Sequence, residues 1–134
     1  MDALHMVALV APAEERMRRH EEALATARAA TDPAARSWDA SILNNIGMAH
    51  ADAGNHAAAL ATFEEAMAAR ERIGDPARTR VAKWMVAWSL RELGRTDEAL
   101  ARQRALKAEL EAAGETDPYV DQELYILEGR APAT

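Results

Sequence analysis

Apolar residues along this chain recur at steps of three and four. In the stretch 34–53 they fall at Trp38, Ile42, Ile46, Ala49 and Ala53, and in 96–113 at Ala99, Leu100, Leu106 and Leu110, with Gln103 on the same stripe. That period places them on one face of an α-helix. Each stripe is too narrow to be stable alone, so its partner must lie on a neighbouring helix. No alternating apolar and polar run longer than a few residues occurs, and nothing argues for a strand. Boundaries fall where stop and start chemistry coincide. Thr31-Asp32-Pro33, Gly74-Asp75-Pro76 and Thr116-Asp117-Pro118 each set a capping acid before a proline whose fixed φ suits a first helical turn. Gly54, Gly94 and Gly129 each close an apolar-periodic stretch, where glycine tolerates the left-handed conformation that ends a helix. Asn55-His56 and Thr96-Asp97-Glu98 then restart the chain almost at once, which predicts short turns and antiparallel hairpins. The pattern predicts seven helices: 2–10, 13–30, 34–53, 56–73, 77–93, 96–113 and 118–128. The first hairpin has a longer turn around Ala11 to Glu14, because Pro12 interrupts it.

The pattern also repeats. NIGMAHADAGNHAAALATF at 45–63 is answered by MVAWSLRELGRTDEALARQ at 85–103, with Gly54 and Gly94, Ala59 and Ala99, Leu60 and Leu100, and Ala61 and Ala101 all 40 positions apart. HEEALATA at 20–27 matches HAAALATF at 56–63 with an offset of 36. Repeats of this length are supersecondary units that bury their apolar faces by stacking.

Composition sharpens the class. Of the 49% of residues that are apolar, half are alanine, and the 134-residue chain has one Phe, two Tyr and three Trp. Alanine favours helix and lets helix backbones approach closely. A chain of this length can bury roughly two-thirds of its unfolded surface. There are no cysteines, which removes disulfides, thiolate zinc sites and a cysteine nucleophile and is compatible with a reducing cytoplasm, the expected location. A net charge of −6 disfavours nucleic acid as a partner. The longest apolar run, MVALVAPA at 6–13, is far short of the roughly 20 residues that span a bilayer, and the opening MDALHMVAL lacks the positive flank of a signal peptide. A membrane is not an expected partner.

With these residues in view, the chain resembles the tetratricopeptide repeat (TPR) family over about 34–129. The motif residues are Ile46-Gly47, His50, Gly54, Ala59, Phe63 and Ala66 in one repeat, and Val86-Ala87, Leu90, Gly94, Ala99, Gln103 and Leu106 in the next. Tyr125 and Gly129 fit a third first-helix. His50 stands for the usual tyrosine, Gln103 for the usual aromatic residue and Leu106 for the second alanine. The spacing near 40 and the Asn44-Asn45 pair are similar to the longer TPR variants of bacterial proteins and kinesin light chains. The resemblance implies an all-α superhelical solenoid of about seven antiparallel helices, roughly three and a half repeats, in one domain over 1–134 with hairpins 2–30, 34–73 and 77–113 and a terminal helix 118–128. Gly47 or Ala87 then lies where paired helices cross, beside the structural positions Gly54, Ala59, Gly94 and Ala99, because only a small side chain admits the neighbour there.

The resemblance further implies a concave groove lined by first helices: Asn44, Asn45 and Met48, then Trp84, Met85, Trp88 and Arg91, then Tyr119, Glu123 and Ile126. Trp84 and Trp88, four apart, share one helix face with Arg91 a turn along, the composition of an interface hot spot. The alternative is that both rings pack on the next repeat. The carboxylate clamp of some TPR grooves is disfavoured, since Val81 and Met85 occupy two of its places. Arg70, Arg72, Arg78 and Arg80 near Glu71 and Asp75 read as solvated ion pairs.

Catalytic chemistry is not indicated. His5, His20, His50 and His56 fall on four different elements without metal-ligand spacing, the six glycines are isolated, and no cofactor or metal is implied. The expected function is a protein or peptide interaction module. Two alternatives share the fold: a structural unit that homodimerises through the terminal helix, whose apolar residues run around much of its circumference, and the sensory part of a signalling or transcription regulator.

Overall fold

The computed structural model describes residues 12–129. Its helices are α1 (Ala13–Ala29), a single turn α2 (Pro33–Arg36), α3 (Trp38–Asp52), α4 (His56–Ile73), α5 (Pro76–Glu92), α6 (Thr96–Ala112) and α7 (Pro118–Leu127), and the described residues contain no strand. Helix 2–10 of the sequence reading lies outside the described residues. Ala13 and Glu14 belong to α1 itself, so no turn extends to Glu14. The expected helix 34–53 is divided at Ser37, whose hydroxyl donates to the Ala34 carbonyl at 2.7 Å and so competes with the helical ladder.

The caps follow local chemistry. Asp32, Asp75 and Asp117 accept from the amides of Ala34, Arg78 and Tyr119 at 3.4, 3.3 and 2.9 Å, each with proline as the first helical residue. The two copies of the repeat turn have one geometry. Gly54 and Gly94 sit at φ 79° and 78°. Asn55 donates to the His50 carbonyl and Arg95 to the Leu90 carbonyl, both at 2.9 Å, while each glycine amide closes onto the residue three before it. This is a Schellman closure, and it satisfies the carbonyls that the last helical turn leaves free.

The helices pack in succession: α1 on α3, α3 on α4, α4 on α5, α5 on α6 and α6 on α7, with α5 also touching α7. The molecule is thus an all-α superhelix in which α3/α4 and α5/α6 are whole repeats, α1 is the second helix of a preceding one and α7 the first helix of a following one. Among the described residues, eight of the eighteen buried apolar side chains are alanines, so the helices meet at close range. Phe63, fully buried, joins Ala59 and Leu60 to Val86 and Leu90 of α5, Ala99 of α6 and Leu127 of α7. Ala40 and Leu43 of α3 pack with Ala66 and Ala69 of α4, and Leu106 and Leu110 of α6 with Val120 of α7.

Two expectations change. Trp38, first on the predicted core stripe of α3, is 66% exposed, and the buried face runs instead through Asp39, Ala40, Leu43, Ile46 and Gly47. That face is turned back because Asp39, only 4% exposed, accepts two hydrogen bonds from Arg72 at 2.7 and 2.9 Å. The arginines near the helix ends are likewise long-range ties rather than local pairs: Arg70 donates to Ser41 of α3 at 3.1 Å and Arg80 to Glu115 in the α6–α7 loop at 2.6 Å, and Arg78 alone faces Asp75, at 3.5 Å.

The tightest approach is at Gly47. A Cβ there would stand 2.5 Å from Phe63 Cε1, with two more ring atoms inside 3 Å. Forty residues on stand Ala87 and Gln103, 1% and 0% exposed. The exchange is one of volume: a methyl appears on the first helix where the ring is lost from the second. Gln103 is costly in another way, because both its amide atoms lack hydrogen-bond partners among the described residues. Ser89 and Thr62, also buried, donate to carbonyls one turn back at 2.9 Å.

Gly47→Ala should cost about 1–3 kcal/mol by overpacking against a ring with nowhere to move, measured by urea unfolding; parental stability would remove Gly47 from the junction. Gln103→Phe alone should be destabilising by about 1–3 kcal/mol, and Ala87→Gly should restore much of that loss in a double-mutant cycle. Additive effects would show that the two sites do not share one space.

Candidate peptide-binding groove

The face formed by α3, α5 and α7 carries a row of rings. His56, at the head of α4, meets Trp88 edge-on with centroids 5.5 Å apart at 76°. Trp88 stacks on Trp84 at 6.4 Å and 11°, one helical turn away, and Trp84 meets Tyr119 of α7 edge-on at 6.4 Å and 73°. Spacing alone places the two indoles on one face, whereas His56 and Tyr119 arrive only through packing of neighbouring helices.

Beside this row lies a cavity of about 490 Å³, walled by Met48 and Asp52 of α3, by His56, and by Trp84, Met85, Trp88 and Glu92 of α5. A second cavity, of about 460 Å³, lies between Arg16 and His20 of α1 and Asn45, Met48 and Asp52 of α3. Met48 and Asp52 line both, so the two join into a furrow crossing successive helices. His20 and His56, which hold matching places in the 36-residue offset, each line one of them.

A model of the tetratricopeptide repeat family matches residues 38–107, just over half of the chain. The chain belongs to the tetratricopeptide repeat family. No curated protein and no solved structure matches it. TPR repeats generally mediate protein–protein interaction, and the family is typically non-catalytic. The furrow between first helices is therefore the place where this TPR chain's side chains need to be located one by one.

Met48, Trp84, Met85 and Trp88 come together around one cavity, and Asn45 lines the adjoining one. Tyr119, 67% exposed, extends the ring row, and Ile126 is exposed on α7, while Asn44 is half-buried in α3. Arg91 and Glu123 are placed differently from the groove-facing expectation. They meet each other: Arg91 donates through Nε and Nη2 to the two Glu123 oxygens at 2.7 and 3.0 Å, and Glu123 is 3% exposed. The hydrogen bond to Glu123 raises the Arg91 pKa. This bidentate pair fastens α5 to α7 and leaves Glu123 no surface for a ligand.

The tryptophans divide between packing and exposure. Trp84 leans on the Leu106, Leu110 and Val120 cluster, and its Nε1 is buried without a partner among the described residues. Trp88 is half-buried and belongs to none of the core clusters. Asp52, His56 and Glu92, with Arg16 and His20 in the adjoining cavity, are polar lining residues that sequence reasoning missed. Two were within its reach, since Asp52 continues the Met48 stripe and Glu92 the Trp84-Trp88 stripe by four residues; His56 had no such signal. Among the described residues, no group of three or more His, Asp and Glu is placed to hold a metal ion, and no helix is long and apolar enough to cross a membrane.

Glu123→Ala strands a half-buried guanidinium and should lower stability by about 2 kcal/mol, with hydrogen exchange rising most in α7. Uniform exchange across the chain would show that the pair does not dock that helix.

Proposed function

We propose that this TPR chain is a non-catalytic interaction module whose concave furrow holds an extended peptide or protein segment. The observation that carries the reading is the partly exposed, parallel Trp84–Trp88 pair at a cavity shared by two successive repeats. Half-buried aromatic rings in a concave apolar setting supply large contact area at low entropic cost, which is how interface anchors work. Met48 and Met85 add flexible apolar walls that adapt to a side chain's shape. The adjoining cavity continues the track, and the exposed Asn45 offers an amide able both to donate to and to accept from a peptide backbone. Arg91 is already held by Glu123, so apolar contact and not an arginine clamp leads the recognition. The absence of cysteine suits work in a reducing cytoplasm.

The test is selection of peptides from a random display library on the intact chain, with Trp88→Ala as the comparison. That substitution should cost no more than about 1–2 kcal/mol of stability yet abolish enrichment. Equal enrichment on both proteins, or a collapse of the variant's fold, would refute Trp88 as a binding surface.

A further inference from the structure

The cavity beside Trp88 has a polarity that the reading above does not use. Trp84 Nε1 and His56 Nδ1 are sealed from solvent, so the polar groups left to the cavity are the carboxylates of Asp52 and Glu92 and His56 Nε2. An ionised carboxylate only accepts hydrogen bonds. Asp52 has no hydrogen bond or ion pair among the described residues, whereas Glu92 lies 3.9 Å from His56 Nε2 and 3.7 Å from Arg91 Nη2. Arg91, beside Glu92, is held by buried Glu123, and Arg16 of α1 lines the adjoining cavity, which shares Met48 and Asp52, but not this one. The remaining walls are indole, imidazole, thioether and methyl. A ligand group suited to this place is long and apolar along its stem and positively charged at its tip. Tryptophan is also the aromatic side chain that best attracts a cation.

We propose that the cavity is a subsite for a lysine or arginine side chain of the bound segment, with its methylenes against Met48, Met85 and Trp88 and its charged head between Asp52 and Glu92. The proposal rests on the groove reading and adds the chemistry of the partner: a basic residue at one fixed position, matched to a protein whose net charge is −6. An acidic residue at that position is disfavoured, because it would bring a third carboxylate beside Asp52 and Glu92.

Peptides enriched on the intact chain and lost on Trp88→Ala should share a lysine or arginine at one register position. In the synthetic peptide, norleucine at that position should weaken binding about tenfold by calorimetry. Asp52→Asn with Glu92→Gln should erase the difference between lysine and norleucine, and high salt should shrink it. Asp52→Asn alone, at an exposed and unpaired residue, gives the same test with half the charge removed and the fold kept. A Trp88-dependent consensus without a basic residue, or one indifferent to both carboxylates, overturns this inference and leaves the groove reading standing. If no Trp88-dependent peptide is found, both fall.

Discussion

The architecture depends on how near two helix backbones can come at Gly47. Without a Cβ, α3 lets the Phe63 ring lie against its backbone, and the ring reaches through to Val86 and Leu90 of the next repeat. One missing methyl thus joins two repeats, because the residue that fills the gap in the first hairpin is also the core of the boundary with the second. Close packing makes such a contact intolerant of added volume. The second repeat meets the same constraint with Ala87 and Gln103, trading ring for methyl and accepting an amide without partners. Natural solenoids tolerate such local defects because each repeat leans only on its neighbours.

From that spacing the concave face follows. Helices brought close by alanine and glycine hold α3, α5 and α7 as neighbours on one side, and the larger residues of their outward faces are left to line a furrow. Charge then locks the order of the stack. Asp39–Arg72 spans α3 and α4, Lys83–Glu109 spans α5 and α6, Lys107–Asp121 spans α6 and α7, and Arg91–Glu123 spans α5 and α7. The hydrogen bond from Lys107 to Asp121 raises the lysine's pKa. Of these ties, those with a buried member, Asp39 and Glu123, matter most, since removing the arginine leaves a buried carboxylate without its partner. The exposed ones contribute little individually.

The furrow's chemistry is set by what these ties consume. Arg91, three residues past Trp88 in the chain, is captured by Glu123 and does not line the neighbouring cavity, where the carboxylates of Asp52 and Glu92 do. Trp84 is partly drawn into the α6–α7 core, which leaves Trp88 as the ring with the freer surface. A single pairing across 32 residues therefore takes the arginine of the expected groove out of the cavity's lining.

What the chain determined by itself was everything encoded in short range and period: helix character from alanine and three-four spacing, starts from Asp-Pro, stops from Gly54 and Gly94, the 40-residue repeat and the TPR family it marks. These signals are local because caps, propensities and stripes involve residues within about one turn. Only the tertiary structure decided which side of each helix faces which neighbour. Trp38 fell off the core stripe because Asp39 is held by Arg72, Glu123 left the groove because Arg91 reached it, and His56 joined the tryptophans because α4 packs beside α5. Long side chains choose partners by distance in space, and a distance across some thirty residues of chain exists only once the helices are stacked.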